Sequence, residues 1–322
     1  MHLVIPFAAP GSDAGRDAMR SLHAWGWPGL AALMSLMSSM SPVQAAQRDD
    51  TSDDAATDGD EFSLTPPHER VIAQARGWRL VDGALPWAAS RWRALGHDPG
   101  LLAWGLLTPA HWQLGTEPLR MGDPASLMLE EATSRALLAA IEPLFVSEGF
   151  SVHWGRALSW FIAHPSLADM PCASLDRVIG RNVDRWLSAN KAAGKAARLL
   201  RRLQNEAQMV FYTHPLNLER ERRGLLPVNS FWLSGCGVAQ PETAVAMKIE
   251  MRLRRPALNE DWAAWCSAWR QIDGDLAGAD IDRLTLCGER SATTWEVRPR
   301  NAWQRLAARW QRPAPVPLLE TL

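Results

Sequence analysis

His2-Leu3-Val4-Ile5-Pro6-Phe7 opens the chain as an apolar run, and Gly11 turns it into a helical pattern that reaches Arg20. A buried strand followed at once by a helix begins an α/β plan, because the returning helix covers one face of the strand. Working outward, Thr65-Pro66-Pro67 opens a helix to about Ala75, with Thr65 as its cap. Further helical patterns cover 86–95, 124–145, 175–187, 192–211 and 301–311, and Asn259 stands where it can cap a tryptophan-bearing helix. Residues 101–107 suit a strand or a buried helix end, and 244–253 alternate like a strand with one wet face. Two hairpins, 150–154 with 158–163 and 284–289 with 293–298, add antiparallel strands. The expected fold is α/β, a mixed sheet flanked by helices, in one domain spanning 1–322.

The net charge of −1 gives no overall attraction to nucleic acid or to an anionic membrane, and neither is expected as a partner. No run reaches the ~20 apolar residues that a membrane-spanning helix needs. Cys172, Cys236, Cys266 and Cys287 lie far apart without a C-x-x-C pair, which reads as reduced thiols and a cytoplasmic location. The stretch 25–46 is apolar enough to imitate a signal peptide, but serines break it, and it reads as a helix of the folded protein. An acidic segment at 47–63 has nothing to bury and is expected to be a mobile linker. Seventeen tryptophans accompany a single tyrosine; Trp262, Trp265 and Trp269 fall at helical spacing, which favours core packing over a stacking platform.

The chemistry-bearing stretch is His214-Pro215-Leu216-Asn217-Leu218-Glu219-Arg220-Glu221-Arg222-Arg223-Gly224, continuing to Pro227-Val228-Asn229 and to Ser234-Gly235-Cys236-Gly237. Asn217, Arg220 and Arg223 can converge at a helix end, with Gly224 turning the chain back. Arginine presents a planar fork suited to phosphate or carboxylate. Gly235 and Gly237, read as following a strand at 225–233, would let backbone N–H groups approach an anion. The bland reading of the same residues is a structural knot, with arginines paired to acids and Asn217 and Asn229 holding turns. Lys191, Lys195, Arg198 and Arg202 share one helix face leading into this stretch, the usual arrangement of a solvated face.

This pattern of His-Pro-x-Asn, arginine, glycine, Pro-x-Asn and Gly-x-Gly resembles a segment of the archaeal-type cofactor-independent phosphoglycerate mutases. The resemblance covers about two dozen residues, and Ser234 stands where many of those mutases carry arginine. Over its remaining length the chain is similar to the bacterial RpfE-type regulatory proteins. Leu107-Thr108-Pro109-Ala110-His111-Trp112-Gln113 and Leu175-Asp176-Arg177-Val178-Ile179-Gly180-Arg181-Asn182 carry that likeness, together with 229–237. The resemblance implies a reduced phosphoglycerate mutase or alkaline phosphatase-like core.

A two-metal phosphomutase needs clustered Asp and His ligands to clamp the transferring phosphoryl group. Here 2–10 holds no aspartate, and the eight histidines never form His-x-His or His-x-x-x-His. His111 with Asp123, and Cys236 as a nucleophile between glycines, are further candidates that need partners within reach. Asp273-Gly274-Asp275 imitates a calcium loop but lacks its closing carboxylate. The expectation is a mutase-like regulatory or binding protein without cofactor, taking a phosphorylated or carboxylate small molecule, or a protein partner, at Asn217, Arg220, Arg223, Asn229, Gly235 and Gly237. An active mutase or phosphatase using Mn or Zn is the alternative, and a macromolecular interaction protein the second.

Overall fold

The computed structural model describes residues 1–39, 63–113, 119–189, 194–297 and 315–322. The acidic segment (Ser63 apart), Lys191 and the helix expected at 301–311 lie outside them. The sequence reads as one domain, whereas the chain gathers into two compact units, each with its own sheet and core. One comprises Met1–Phe62, Pro66–Gly77 and Thr243–Leu322; the other comprises Ser63–Thr65 and Trp78–Glu242. Both are mixed α/β, with sheets flanked by helices. No helix among the described residues is long and apolar enough to cross a membrane.

The first unit begins with β1 (His2–Ile5), α1 (Asp13–Ser21), α2 (Pro28–Leu36), β2 (Met37–Ser39) and α3 (Pro67–Ala75). In the second, α4 (Trp87–Ala94) leads to β3 (Ala103–Ala110), β4 (Trp112–Gln113), β5 (Arg120–Met121) and α5 (Glu131–Val146). The hairpin β6 (Ser151–Arg156) and β7 (Ser159–Ala163) precedes α6 (Leu175–Val178), α7 (Val183–Ala189), α8 (Gly194–Thr213), α9 (Pro215–Arg222) and β8 (Ser230–Val238). The chain then returns to the first unit with β9 (Met247–Ile249), α10 (Arg254–Leu258), α11 (Trp262–Leu276), β10 (Arg283–Cys287) and β11 (Ala292–Val297).

In the first unit the strand order is β2-β11-β10-β1-β9, and β1 runs parallel to both neighbours. Leu3 and Ile5 face a core shared with α1, α2 and α11; Val4 faces Val71 of α3 on the opposite side. This is the period-two alternation of a strand covered by helices on both faces. Trp265 and Trp269 are fully buried, and their indole N–H groups donate to Phe7 O (3.0 Å) and Ala8 O (3.2 Å) just past β1. The tryptophan stripe is therefore core. α11 is capped by the Asp261 side chain, which accepts from Ala264 N, and Asn259 instead ends α10. Asp273, also on α11, is fully buried and accepts from Gly29 N (3.3 Å), Leu30 N (2.7 Å) and Trp25 Nε1 (3.2 Å), capping α2 from another helix.

His2 on β1 is hydrogen-bonded through Nε2 to Thr285 Oγ1 at 2.9 Å. Burial first, then the Arg283 charge, pull its pKa down to about 4, with Glu296 opposing. The unfolded chain takes up this proton near pH 6.5, so stability should fall as the pH drops from about 6.5 to about 4. Urea midpoints at pH 7 and pH 4.5 check this: His2→Gln should flatten that part of the profile.

In the second unit the order is β6-β7-β3-β8, antiparallel throughout. α5 and α8 cover one face through Leu137, Ile141, Phe145, Leu203 and Phe211. α4 covers the other with Ala88, Ala89 and Trp92 against Trp104, Leu106 and Phe161. Two expected helices are interrupted. Met128 at φ 46 ends a 3-10 turn before α5 begins, and Gly180 at φ 75 separates α6 from α7. Thr65 does not cap α3; its hydroxyl accepts from Gly83 N at 2.8 Å.

Candidate functional site

The 214–237 stretch folds as a corner between α8, α9 and β8. His214 caps α9 by accepting from Leu216 N (3.2 Å), and Pro215 takes the first turn, where no N–H is needed. Asn217 and Arg220, three residues apart, share the inward face of α9 and are 3% and 5% exposed. Gly224 at φ 71 reverses the chain, with Leu225 N bonded to Arg220 O at 2.9 Å. β8 then starts at Ser230.

The side chains of this corner hold backbone. Asn217 Nδ2 donates to Phe211 O (2.8 Å) and Val228 O (2.7 Å), while its Oδ1 accepts from Val228 N (3.0 Å). Arg220 donates through Nε (3.0 Å) and Nη2 (2.9 Å) to Leu226 O, and Nη2 also reaches Leu127 O. Asn229 mimics a strand residue: Oδ1 accepts from Trp112 N (2.7 Å) and Nδ2 donates to Trp112 O (2.8 Å). The amides of both asparagines thus hold backbone partners, Asn217 in a buried position and Asn229 in a half-buried one.

The placement of the glycines relative to the strand is corrected. Gly235-Cys236-Gly237 lies within β8, not after a strand, and Gly235 (φ 64) and Gly237 (φ 147) face the start of α4. A Cβ on Gly235 would lie 2.9 Å from Trp87 Cβ and 3.1 Å from Ala88 N, and one on Gly237 3.3 Å from Pro86 Cβ. The missing side chains let the start of α4 approach β8 closely. Arg223, by contrast, is exposed at the end of α9. Burial, and then Arg223, hold the Arg220 guanidinium below the usual arginine pKa, with Glu130 opposing. It stays charged at neutral pH.

The other candidates separate. His111 Nδ1 lies 2.8 Å from Pro227 O, whereas Asp123 accepts from Ala125 N (2.9 Å) and caps a 3-10 turn, so the two do not pair there. Cys236 is fully buried, 3.6 Å from Cys172 Sγ, and is no exposed nucleophile. Lys195, Arg198, Arg201 and Arg202 are exposed, with Arg202 paired to Glu148 and Glu206. Among the described residues no three His, Cys, Asp or Glu side chains gather as a metal-holding group.

Sequence reasoning passed over a second gathering, at the carboxyl ends of parallel β1 and β10, the edge where open α/β sheets carry ligands. Phe7, at φ 58, has its ring 5.1 Å from that of buried His68; buried Arg70 donates to Arg290 O at 3.3 Å. Burial pushes the Cys287 thiol up, with the Arg70 charge opposing. The available signal was the placement of His68 and Arg70 directly after Pro66-Pro67, in the first turns of α3.

Fold and site together define a mixed α/β protein in which an arginine–asparagine corner clamps its own backbone. No protein-family model matches the chain, and no curated protein sequence does. Among solved structures it is similar to the cofactor-independent phosphoglycerate mutase from Thermoplasma acidophilum DSM 1728. That likeness has 16% identity and a TM-score of 0.35, over 91% of this chain and 88% of that one. It is also similar to the PH0037 protein from Pyrococcus horikoshii, at 11% identity and a TM-score of 0.39, over 92% and 87% of the two chains.

Proposed function

We propose that this chain is a phosphoglycerate mutase-like binding or regulatory protein that works without metal-dependent catalysis and takes a phosphate- or carboxylate-bearing small molecule over Arg220 and Arg223. The observation that carries the reading is the state of Arg220. Its guanidinium is buried, and its bonds end on the carbonyl oxygens of Leu226 and Leu127, which carry no full charge. Arg223 adds positive charge beside it, and Glu130 offsets part of the field. An anion at this corner gains from a cation already fixed in place, with little side-chain entropy left to lose.

Arg220 acts here as a positioned charge, and Arg223 as the exposed contact. The test is calorimetric titration with inorganic phosphate and with 3-phosphoglycerate, at low and at moderate salt. Arg223→Ala, which removes an exposed side chain and should leave the fold intact, is expected to weaken binding about tenfold, the loss of one charge-assisted contact. Equal affinity in the variant would remove the anion site from this corner. Metal content and phosphoglycerate mutase turnover, measured with Mn or Zn added, address catalysis: stoichiometric metal with turnover would overturn the non-catalytic reading.

A further inference from the structure

We propose that Cys172 and Cys236 form a redox-responsive pair that closes to an intramolecular disulfide under peroxide. Both are unlinked and buried in one apolar core of the second unit, and their Sγ atoms, 64 residues apart in sequence, lie 3.6 Å from each other. A disulfide is about 2.05 Å long, so the sulfurs must approach by roughly 1.5 Å.

The backbone around Cys236 can supply that movement. On β3, Trp104 pairs with Gly237 and Leu106 with Ser234, so Gly235 and Cys236 together stand opposite one residue, as in a β-bulge. Glycines at φ 64 and φ 147 flank the cysteine, where a side chain would stiffen the chain. Cys172 sits in an irregular segment anchored on both sides of its sulfur: its N–H donates to Gly83 O at 2.9 Å, and the Trp232 indole donates to Ala173 O at 2.9 Å. The pair thus joins a loop to a sheet strand. Cys266 and Cys287 belong to the other unit.

The chemistry balances with one peroxide. The Cys172 sulfur attacks a peroxide oxygen, the O–O bond breaks, the thiol proton leaves with the departing hydroxide as water, and Cys172 becomes a sulfenic acid. The Cys236 sulfur then displaces the hydroxyl from that sulfur. The S–S bond forms, the S–O bond breaks, and the Cys236 proton completes a second water. Two electrons leave the thiols and two reach the peroxide. Cys236 enters second because it is completely enclosed, 0% exposed against 3% for Cys172.

The test uses the full reduced chain, treated with hydrogen peroxide, quenched, denatured and alkylated before peptide mass analysis. The expected result is a Cys172–Cys236 linked peptide that dithiothreitol releases, with Cys266 and Cys287 still alkylated. The bond closes a long loop, so the melting midpoint should rise by roughly 5–15 °C. Cys172→Ala should show neither the linked peptide nor the rise; the wild-type mass result stands even if that variant folds poorly. Both thiols still alkylated, oxidation to sulfinic acid without a link, or a link between two chains would each overturn the proposal.

Discussion

Asn217→Ala is expected to lower the stability of the second unit by about 3–5 kcal/mol, the scale for stranding several buried backbone groups at once. The amide serves Phe211 O, Val228 O and Val228 N, and alanine leaves all three without that partner. The loss falls on the junction of α8, α9 and β8. Asn217→Asp should do at least as much damage, since the oxygen replacing the Nδ2 group would point at two carbonyl oxygens. Urea denaturation followed by tryptophan fluorescence reads the effect. An unshifted midpoint in both variants would show that these bonds do not hold the corner together.

Asp273→Ala should destabilise the first unit by about 3–4 kcal/mol, combining loss of a helix cap with two stranded N–H groups in a dry site. Its carboxyl group holds Gly29 N and Leu30 N at the start of α2, and the Trp25 indole as well. Asp273→Asn keeps one acceptor oxygen and should recover part of the loss. The same denaturation experiment decides it: an alanine variant as stable as the parent would show that α2 does not depend on this cap.

Local periodicity made much of the fold legible. The strand at His2–Ile5, the helix after Gly11, the hairpin around Gly155 and the tryptophan stripe all rest on neighbours within a few residues, and all appear. What escaped depends on distant partners. Nothing near Asp273 in sequence reveals that it caps a helix more than two hundred residues earlier, and the motif around it imitates a calcium loop. The break at Met128 was hidden by helix formers on both sides. Its neighbour Leu127 offers a carbonyl to Arg220, 93 residues on. In the corner itself the residue types were read correctly as polar and conformationally special. Their partners were backbone atoms and the start of α4, which no side-chain pattern records. Charge alone could not separate a guanidinium that grips carbonyl oxygens from one held out for a ligand.

The order of the strands also sets an order of events during synthesis. His2 pairs with Arg283 and with Met247, whereas the sheet of the second unit is assembled entirely from residues between Ala103 and Val238. As the chain leaves the ribosome, β1 has neither of its sheet neighbours until the whole of that second sheet has been made. The intervening unit can condense while the first strand waits, and its collapse shortens the gap that β1 must later close. Two strands of the first sheet therefore stand without a neighbour through that interval: β1 until β9 is made, and β2 for longer still, until β11 follows.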